Sequence, residues 1–163
     1  MESRAKVLGH PVHPMLVVLP LGLFIAAVVF DGAYLWNGSR DLATVGYWNI
    51  AGGVVGGLLA AIFGLIDWLA IPSGTRAKRI GLLHGGSNLV VVTAFAFVWW
   101  IRSQTVDLVP SPSVFFLEVA ALTLGAIAGW LGGELVDRLA VGIDDGANLD
   151  APNSLSGRPA RQR

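Results

Sequence analysis

Four long runs of apolar residues dominate the sequence, and short polar stretches separate them. Each run has about 20 residues or more, which is enough for a helix to cross a hydrocarbon layer of about 30 Å. Backbone polar groups in lipid have to pair within their own segment, and short connections make successive helices antiparallel neighbours. The pattern predicts an all-α integral membrane four-helix bundle over residues 1–141, with spans at about 15–36, 43–71, 80–101 and 114–141.

A short sequence repeat relates the two predicted antiparallel hairpins. Residues 8–10 resemble residues 82–84, which makes His10 the counterpart of His84, and residues 66–70 resemble residues 136–140. Both hairpins would then begin on the same side of the membrane and be related by an axis along the membrane normal. After the fourth run, residues 142–163 are polar and rich in Ser, Pro, Gly and Arg, and we expect a flexible cytoplasmic tail there.

The distribution of basic residues predicts the orientation. Because cytoplasmic loops carry an excess of Lys and Arg, both termini are expected in the cytoplasm. On that side lie Arg4, Lys6, Arg76, Lys78, Arg79, Arg138, Arg158, Arg161 and Arg163, whereas the other two connections hold only Arg40 and Arg102.

Composition narrows the classes of function. The chain is 54% hydrophobic and 13% charged, and its 11 basic residues balance its 11 acidic ones. The lipid bilayer is therefore the expected surrounding, and there is no excess of positive charge to attract a nucleic acid. The chain contains no cysteine, so that a metal or haem would have to be bound by His, Asp, Glu or Met.

Small residues form stripes on the second and fourth predicted helices. Gly53, Gly56 and Gly64 recur at helical spacing on the second, and Gly125 and Gly129 do so on the fourth. Such stripes allow helices to approach closely, within the bundle or against another subunit. We therefore assign these five glycines to helix packing.

An ionisable residue inside a predicted span is a functional candidate by default, because it is costly in lipid. Asp67 lies near the end of the second span, and His84 lies at similar depth on the third, with Asn88 on the same helical face. Asp67 and His84 could therefore meet. Such a contact would either lock a helical hairpin, or handle a proton and orient a ligand.

Two further histidines directly precede the first span. In Gly9-His10-Pro11-Val12-His13-Pro14, each proline fixes its own φ and favours an extended backbone at the histidine before it. A rigid turn that presents two imidazoles suits a ligand site. It equally suits an ordinary helix start with imidazoles that extend to the interface.

Other charged residues are expected to pair near the membrane boundaries. Asp31 is about 27 Å from His13 along a straight helix and is expected near Arg40 or Arg102 instead. Glu134 and Arg138 are four residues apart, which favours a surface ion pair.

The predicted topology brings His10, His13, Asp67 and His84 to one face of the membrane. Imidazoles with a carboxylate suit Zn, Cu, Ni or Fe, and two facing imidazoles could hold haem b. No known catalytic or phosphate-binding motif is present in the sequence, so an enzymatic activity is not predicted.

Several stretches resemble the bacterial predicted membrane proteins grouped as domain of unknown function 2231. The resemblance covers about residues 5–145 and is carried by residues 9–14, the Val-rich run to Gly22, Asp67, Leu83-His84 and Gly142-Ile143-Asp144. It implies a four-span bundle in the bacterial inner membrane, with no established activity. Some relatives look fused to or placed with redox modules, which favours electron transfer, and His10, His13 and His84 match family positions to which no chemistry is assigned.

Two functional hypotheses follow. The first is a redox-associated module that binds haem or a transition metal through a cytoplasmic-side cluster of His10, His13 and His84, with Asp67 and Asn88 orienting the ligands or handling protons. The second is a structural or partner-binding subunit without chemistry of its own, which packs against another membrane or redox subunit or a second copy of itself.

Overall fold

The computed structural model describes residues 1–161. Arg163, one of the basic residues from which the orientation is predicted, lies outside the described residues. Four of its helices are long and apolar enough to cross a membrane, which confirms the predicted fold class. They are α2 (Val18–Asn37), which continues a short α1 (Val12–Leu16), followed by α3 (Arg40–Ala70), α4 (Arg76–Ser103) and α5 (Pro112–Gly133).

The chain enters the bundle through a tight hairpin. Strand β1 (Lys6–Val7) pairs antiparallel with β2 (His10–Pro11), and the turn between them places Gly9 at a φ of +82°. Helix α1 starts directly after β2 and is separated from α2 by Val17. Three residues later, Pro20 has no N–H to donate to the Leu16 carbonyl, which weakens the helix at this point.

Capping residues explain where α4 and α5 begin. The Thr75 hydroxyl accepts a hydrogen bond from the Lys78 N–H at the start of α4, and the Ser111 hydroxyl accepts one from the Val114 N–H at the start of α5. Each satisfies a backbone donor that has no partner within the first helical turn. Between α4 and α5, the connection contains a 3-10 turn at Val106–Leu108.

Close packing joins α2 to α3 and α4 to α5. A Cβ built at Gly53 would lie within 3 Å of the Phe24 ring, and one at Gly56 would lie 3.0 Å from the Leu19 Cβ. Across the centre of the bundle, the rings of Phe24 and Phe95 stack with centroids 4.0 Å apart. The glycines of α3 therefore permit the first hairpin to close around this stack.

The predicted packing glycines of α5 have less contact within the chain. A Cβ built at Gly125 would be 3.8 Å from the nearest Val91 methyl, and one at Gly129 would meet no described atom within 4 Å. Gly129 lies on an exposed face of α5. In the described chain, close approach to a neighbouring helix is thus supported for Gly53, Gly56 and Gly64 rather than for Gly129.

Ionic contacts join the N-terminal segment to the residues that follow α5. They lie at the end of the bundle that also holds the α3–α4 connection. Lys6 Nζ bonds to the Glu2 carboxylate at 2.8 Å and also to Asp144. The hydrogen bond to Asp144, followed by that to Glu2, raises the pKa of Lys6 above its usual 10.5. The Lys6 bond, followed by the Asp145 N–H, lowers the pKa of Glu2 below 4.5.

The predicted ion pair between Glu134 and Arg138 is replaced by another. Glu134 Oε1 accepts from Arg76 Nη2 at 2.6 Å, so that its partner comes from the start of α4. After α5 the chain forms a π-helical turn at Glu134–Arg138, which changes the angular spacing on which an i,i+4 pair depends.

Candidate functional site

The rings of His13 and His84 meet inside the bundle, near the end that holds the termini. His13 is on α1 and His84 is on α4, and both are half-buried. Their ring centroids are 6.1 Å apart and their planes are nearly perpendicular, at 88°. Of the three histidines predicted to converge, the structure therefore brings two together.

A backbone carbonyl fixes each ring in the same way. His13 Nδ1 is 2.9 Å from the Ala60 carbonyl oxygen, and His84 Nδ1 is 2.8 Å from the Ala128 carbonyl oxygen. A carbonyl can only accept, so each Nδ1 donates and carries the ring hydrogen. In a neutral imidazole this leaves a lone pair on Nε2 of both rings, which is the form that binds a metal, and the Asn88 amide nitrogen is 3.5 Å from Nε2 of His84.

Two glycines provide the space for these rings. Gly64 is one helical turn after Ala60, and Gly132 is one turn after Ala128. A Cβ at Gly64 would lie 2.9 Å from His13 Nδ1, and a Cβ at Gly132 would lie 2.9 Å from His84 Cε1. Gly64, which the sequence assigned to helix packing, thus packs on an imidazole.

The other predicted site residues have different partners. Asp67 accepts hydrogen bonds from the Ser3 hydroxyl at 2.8 Å and from the Arg4 N–H at 2.7 Å, and His84 is not among its described partners. His10 is exposed, and its Nε2 is 3.3 Å from the Ser154 hydroxyl. Asp67 and His10 therefore tether the N-terminal segment to the bundle and to the tail.

Asn88 keeps its predicted place beside His84. Its side-chain amide donates to the His84 carbonyl at 2.9 Å and is 3.5 Å from each ring nitrogen. Among residues 1–161, no group of three or more His, Asp or Glu side chains is arranged to hold a metal ion. The structure thus offers two imidazole ligands, not a cluster of three with a carboxylate.

A second polar centre lies at the opposite end of the bundle. Arg102 of α4, Asp31 of α2 and Glu118 of α5 are all 0% exposed. Arg102 Nη1 donates to Asp31 Oδ2, its Nε donates to the Leu108 carbonyl at 2.9 Å, and its Nη2 donates to the Ala43 carbonyl at 2.7 Å. The pairing of Asp31 with Arg102, one of the two predicted alternatives, is confirmed.

Glu118 completes this centre, which we call the arginine triad. Its Oε1 is 3.7 Å from Arg102 Nη1, and neither of its oxygens has a hydrogen-bond partner among the described residues. Asp31 Oδ1 is likewise buried without a described partner. From the sequence, Glu118 was expected only on the same helical stripe as Gly125 and Gly129, although a glutamate inside an apolar span is itself the signal of a functional candidate.

Residues at equivalent positions in the two halves of the chain contact each other. Phe24 and Phe95, which stack, are separated by 71 positions, as are His13 and His84. The same separation relates Asp31 to Arg102. The contacts therefore make His13 the counterpart of His84, whereas the short sequence repeat had aligned His10 with it.

A family model described as "Predicted membrane protein (DUF2231)" matches residues 9–145 of the chain. No curated protein and no solved structure matches it. The family match includes both histidines of the pair and all three residues of the arginine triad.

Proposed function

The chain belongs to the DUF2231 family of predicted membrane proteins, and we propose that it binds haem b between His13 and His84 as a redox-associated module. The geometry of the two rings carries this proposal. Both rings would hold the iron through Nε2, because Nδ1 of each ring faces a backbone carbonyl. The observed separation of the centroids is 6.1 Å.

The number of ligands favours haem over a bare ion. Zinc and most transition-metal sites need three or four ligands from the protein, and the described residues supply two imidazoles. A haem iron already has four porphyrin nitrogens and needs only axial ligands. His13 and His84 would hold the haem, and the bound haem would supply electron-transfer chemistry.

The residues around the pair support this role. Hydrogen bonds from Nδ1 to the carbonyls of Ala60 and Ala128 set the tautomer and the direction of each ring, as outer partners do at metal sites. Asn88 donates to the His84 backbone carbonyl, and its amide nitrogen lies 3.5 Å from both nitrogens of the ring, where it can help to orient His84. We assign Asp67 to the attachment of the N-terminal segment rather than to proton transfer at the pair.

An absorption spectrum of protein purified from haem-replete cells tests this function. We expect a haem band at about one haem per chain, lost in His13→Ala and His84→Ala. His10→Ala is the matched control, because His10 contacts the tail and should leave the band unchanged. Stoichiometric metal without a haem band would mean that the two histidines hold a metal ion instead of haem, and colourless, metal-free protein would refute both.

The exposed face of α5 favours a second candidate function, that of a partner-binding subunit. Gly129 leaves an open surface that another transmembrane helix, from a redox subunit or a second copy of this chain, can approach closely. Gly129→Leu should then abolish co-purification or self-association in cross-linking experiments while the protein still folds. Gly22→Leu, also in open space but on α2, is the control.

We further propose that the four helices cross the bacterial inner membrane with both termini in the cytoplasm and that residues 142–161 belong to a cytoplasmic tail. The excess of basic residues at the end that holds the termini supports this orientation. A reporter fused after Gln104 should be active in the periplasm, and cytoplasmic activity there would reverse the assignment.

A further inference from the structure

The arginine triad contains more acidic than basic groups in a place without solvent-exposed surface. We propose that Asp31 and Glu118 together bind one proton beside Arg102, so that the triad is a buried proton site. Two carboxylates and one guanidinium would leave one negative charge, and all three side chains are 0% exposed. An uncompensated charge in such a site is among the most costly features a membrane protein can contain.

The positions of the oxygens support a shared proton. Both carboxyl groups approach the same nitrogen, Arg102 Nη1, from different helices. Only Asp31 Oδ2 receives a hydrogen bond, which leaves Asp31 Oδ1 and both oxygens of Glu118 without a described partner. A proton on one of these oxygens neutralises the excess charge and supplies a donor for one acceptor that otherwise has none.

The surroundings provide no other compensating charge within the described chain. From α3, the triad meets the Ala43 carbonyl and the ring of Tyr47, whose centroid is 5.8 Å from the Arg102 guanidinium carbon. From the α4–α5 connection it meets the Leu108 carbonyl. The ion pair of Arg40 and Asp107 is exposed and balanced in itself.

A proton suits the site better than a metal cation does. The guanidinium already lies beside both carboxyl groups, and a second full positive charge would repel it in a medium of low dielectric. The carbonyl oxygens of Ala43 and Leu108 are engaged by Arg102. A proton needs only one oxygen, whereas a cation needs several.

Infrared spectroscopy of the purified full-length protein at neutral pH tests this proposal. An un-ionised carboxyl group has a C=O stretch that is resolved from the stretches of carboxylates and shifts in D₂O. We expect one such band in the wild type and its complete loss in Glu118→Gln. Glu134→Gln is the matched control, because Glu134 is paired with Arg76 at the boundary and should leave the band unchanged.

Asp31→Asn gives a second, sharper arm. Once Asp31 is neutral, Glu118 becomes the sole carboxylate facing Arg102, so we expect the band to disappear here too, although Glu118 is still present. Absence of the band in the wild type, or its persistence in Glu118→Gln, would overturn the proposal. A wild-type band that disappears when choline chloride is replaced by sodium or potassium chloride would mean that a cation occupies the site, and would also overturn it.

Discussion

Replacing Arg102 by Met should be among the most destabilising single substitutions in this chain. The long apolar side chain keeps much of the volume but removes three charge-assisted hydrogen bonds, to Asp31 and to the carbonyls of Ala43 and Leu108. Removing one partner of a buried ion pair typically costs about 3–5 kcal/mol, because the remaining charge is left uncompensated. We expect a loss of this size for Arg102→Met.

The assay is a titration with sodium dodecyl sulfate in mixed micelles, with helicity followed by circular dichroism. Arg40→Met is a matched control, since Arg40 pairs with Asp107 but its side chain is 73% exposed. An exposed pair of this kind contributes about 0–1 kcal/mol. If the two substitutions lower the free energy of unfolding equally, Arg102 does not stabilise the bundle as the partner of buried carboxylates.

Neutralising the whole triad provides a further check on the same reasoning. Arg102→Met combined with Asp31→Asn and Glu118→Gln leaves no buried charge, although some hydrogen bonds are lost. Replacing every member of a buried ionic group is often close to neutral in stability. The triple variant should therefore be more stable than Arg102→Met alone, and a further loss would show that charge is not the cause.

The remaining predictions concern the other end of the bundle. Gly64→Ala and Gly132→Ala should each lower the free energy of unfolding by about 1–3 kcal/mol in the same titration, because the added Cβ meets an imidazole. Gly129→Ala, in open space, should raise it by about 0.5–1 kcal/mol. Equal effects of the three substitutions would contradict the packing of the rings on Gly64 and Gly132. The pKa of Glu2 is lowered in the folded protein, so its contact with Lys6 should stabilise the N-terminal segment above pH 4.5 and be lost as the pH falls through the lowered value. Protection factors for the amides of residues 2–6, which correct for the intrinsic slowing of exchange in acid, measure this, and protection that does not fall in acid would refute it.

The four spans could be predicted because their length and apolar character follow directly from the lipid environment. Depth along each helix also follows from residue counting, which correctly placed His13 and His84 at one end and Asp31 near Arg102. Contact across the bundle does not follow in this way. It depends on the rotation of each helix about its axis, which the glycine contacts with Phe24 and His13 set.

Asp67 is a second residue whose depth could be predicted from the sequence but whose contacts could not. Its depth matched that of His84, yet its carboxylate faces the N-terminal segment and accepts from the Ser3 hydroxyl. A segment outside the spans has no hydrophobic period from which its path could be predicted. The contacts of Ser3 and Arg4 with Asp67 could therefore not be predicted from the apolar pattern.

The two polar centres differ in how they relate to the internal repeat. At the histidine pair, positions 71 apart hold the same residue, and positions 68 apart, Ala60 and Ala128, supply the same carbonyl contact. The two halves therefore fix the two rings in the same way, although Asn88 contacts His84 and the equivalent position in the first half is Val17.

At the opposite end the same two separations relate unlike residues. Asp31 corresponds to Arg102, and Glu118 corresponds to Ile50, which is also 0% exposed. Aspartate against arginine forms a neutral pair between the halves, but glutamate in place of isoleucine adds a carboxyl group that the first half does not match. The excess acid of the triad thus comes from one position on α5, and this is why Glu118→Gln, rather than a change at Asp31, is the direct substitution for removing the proposed proton without breaking the ion pair.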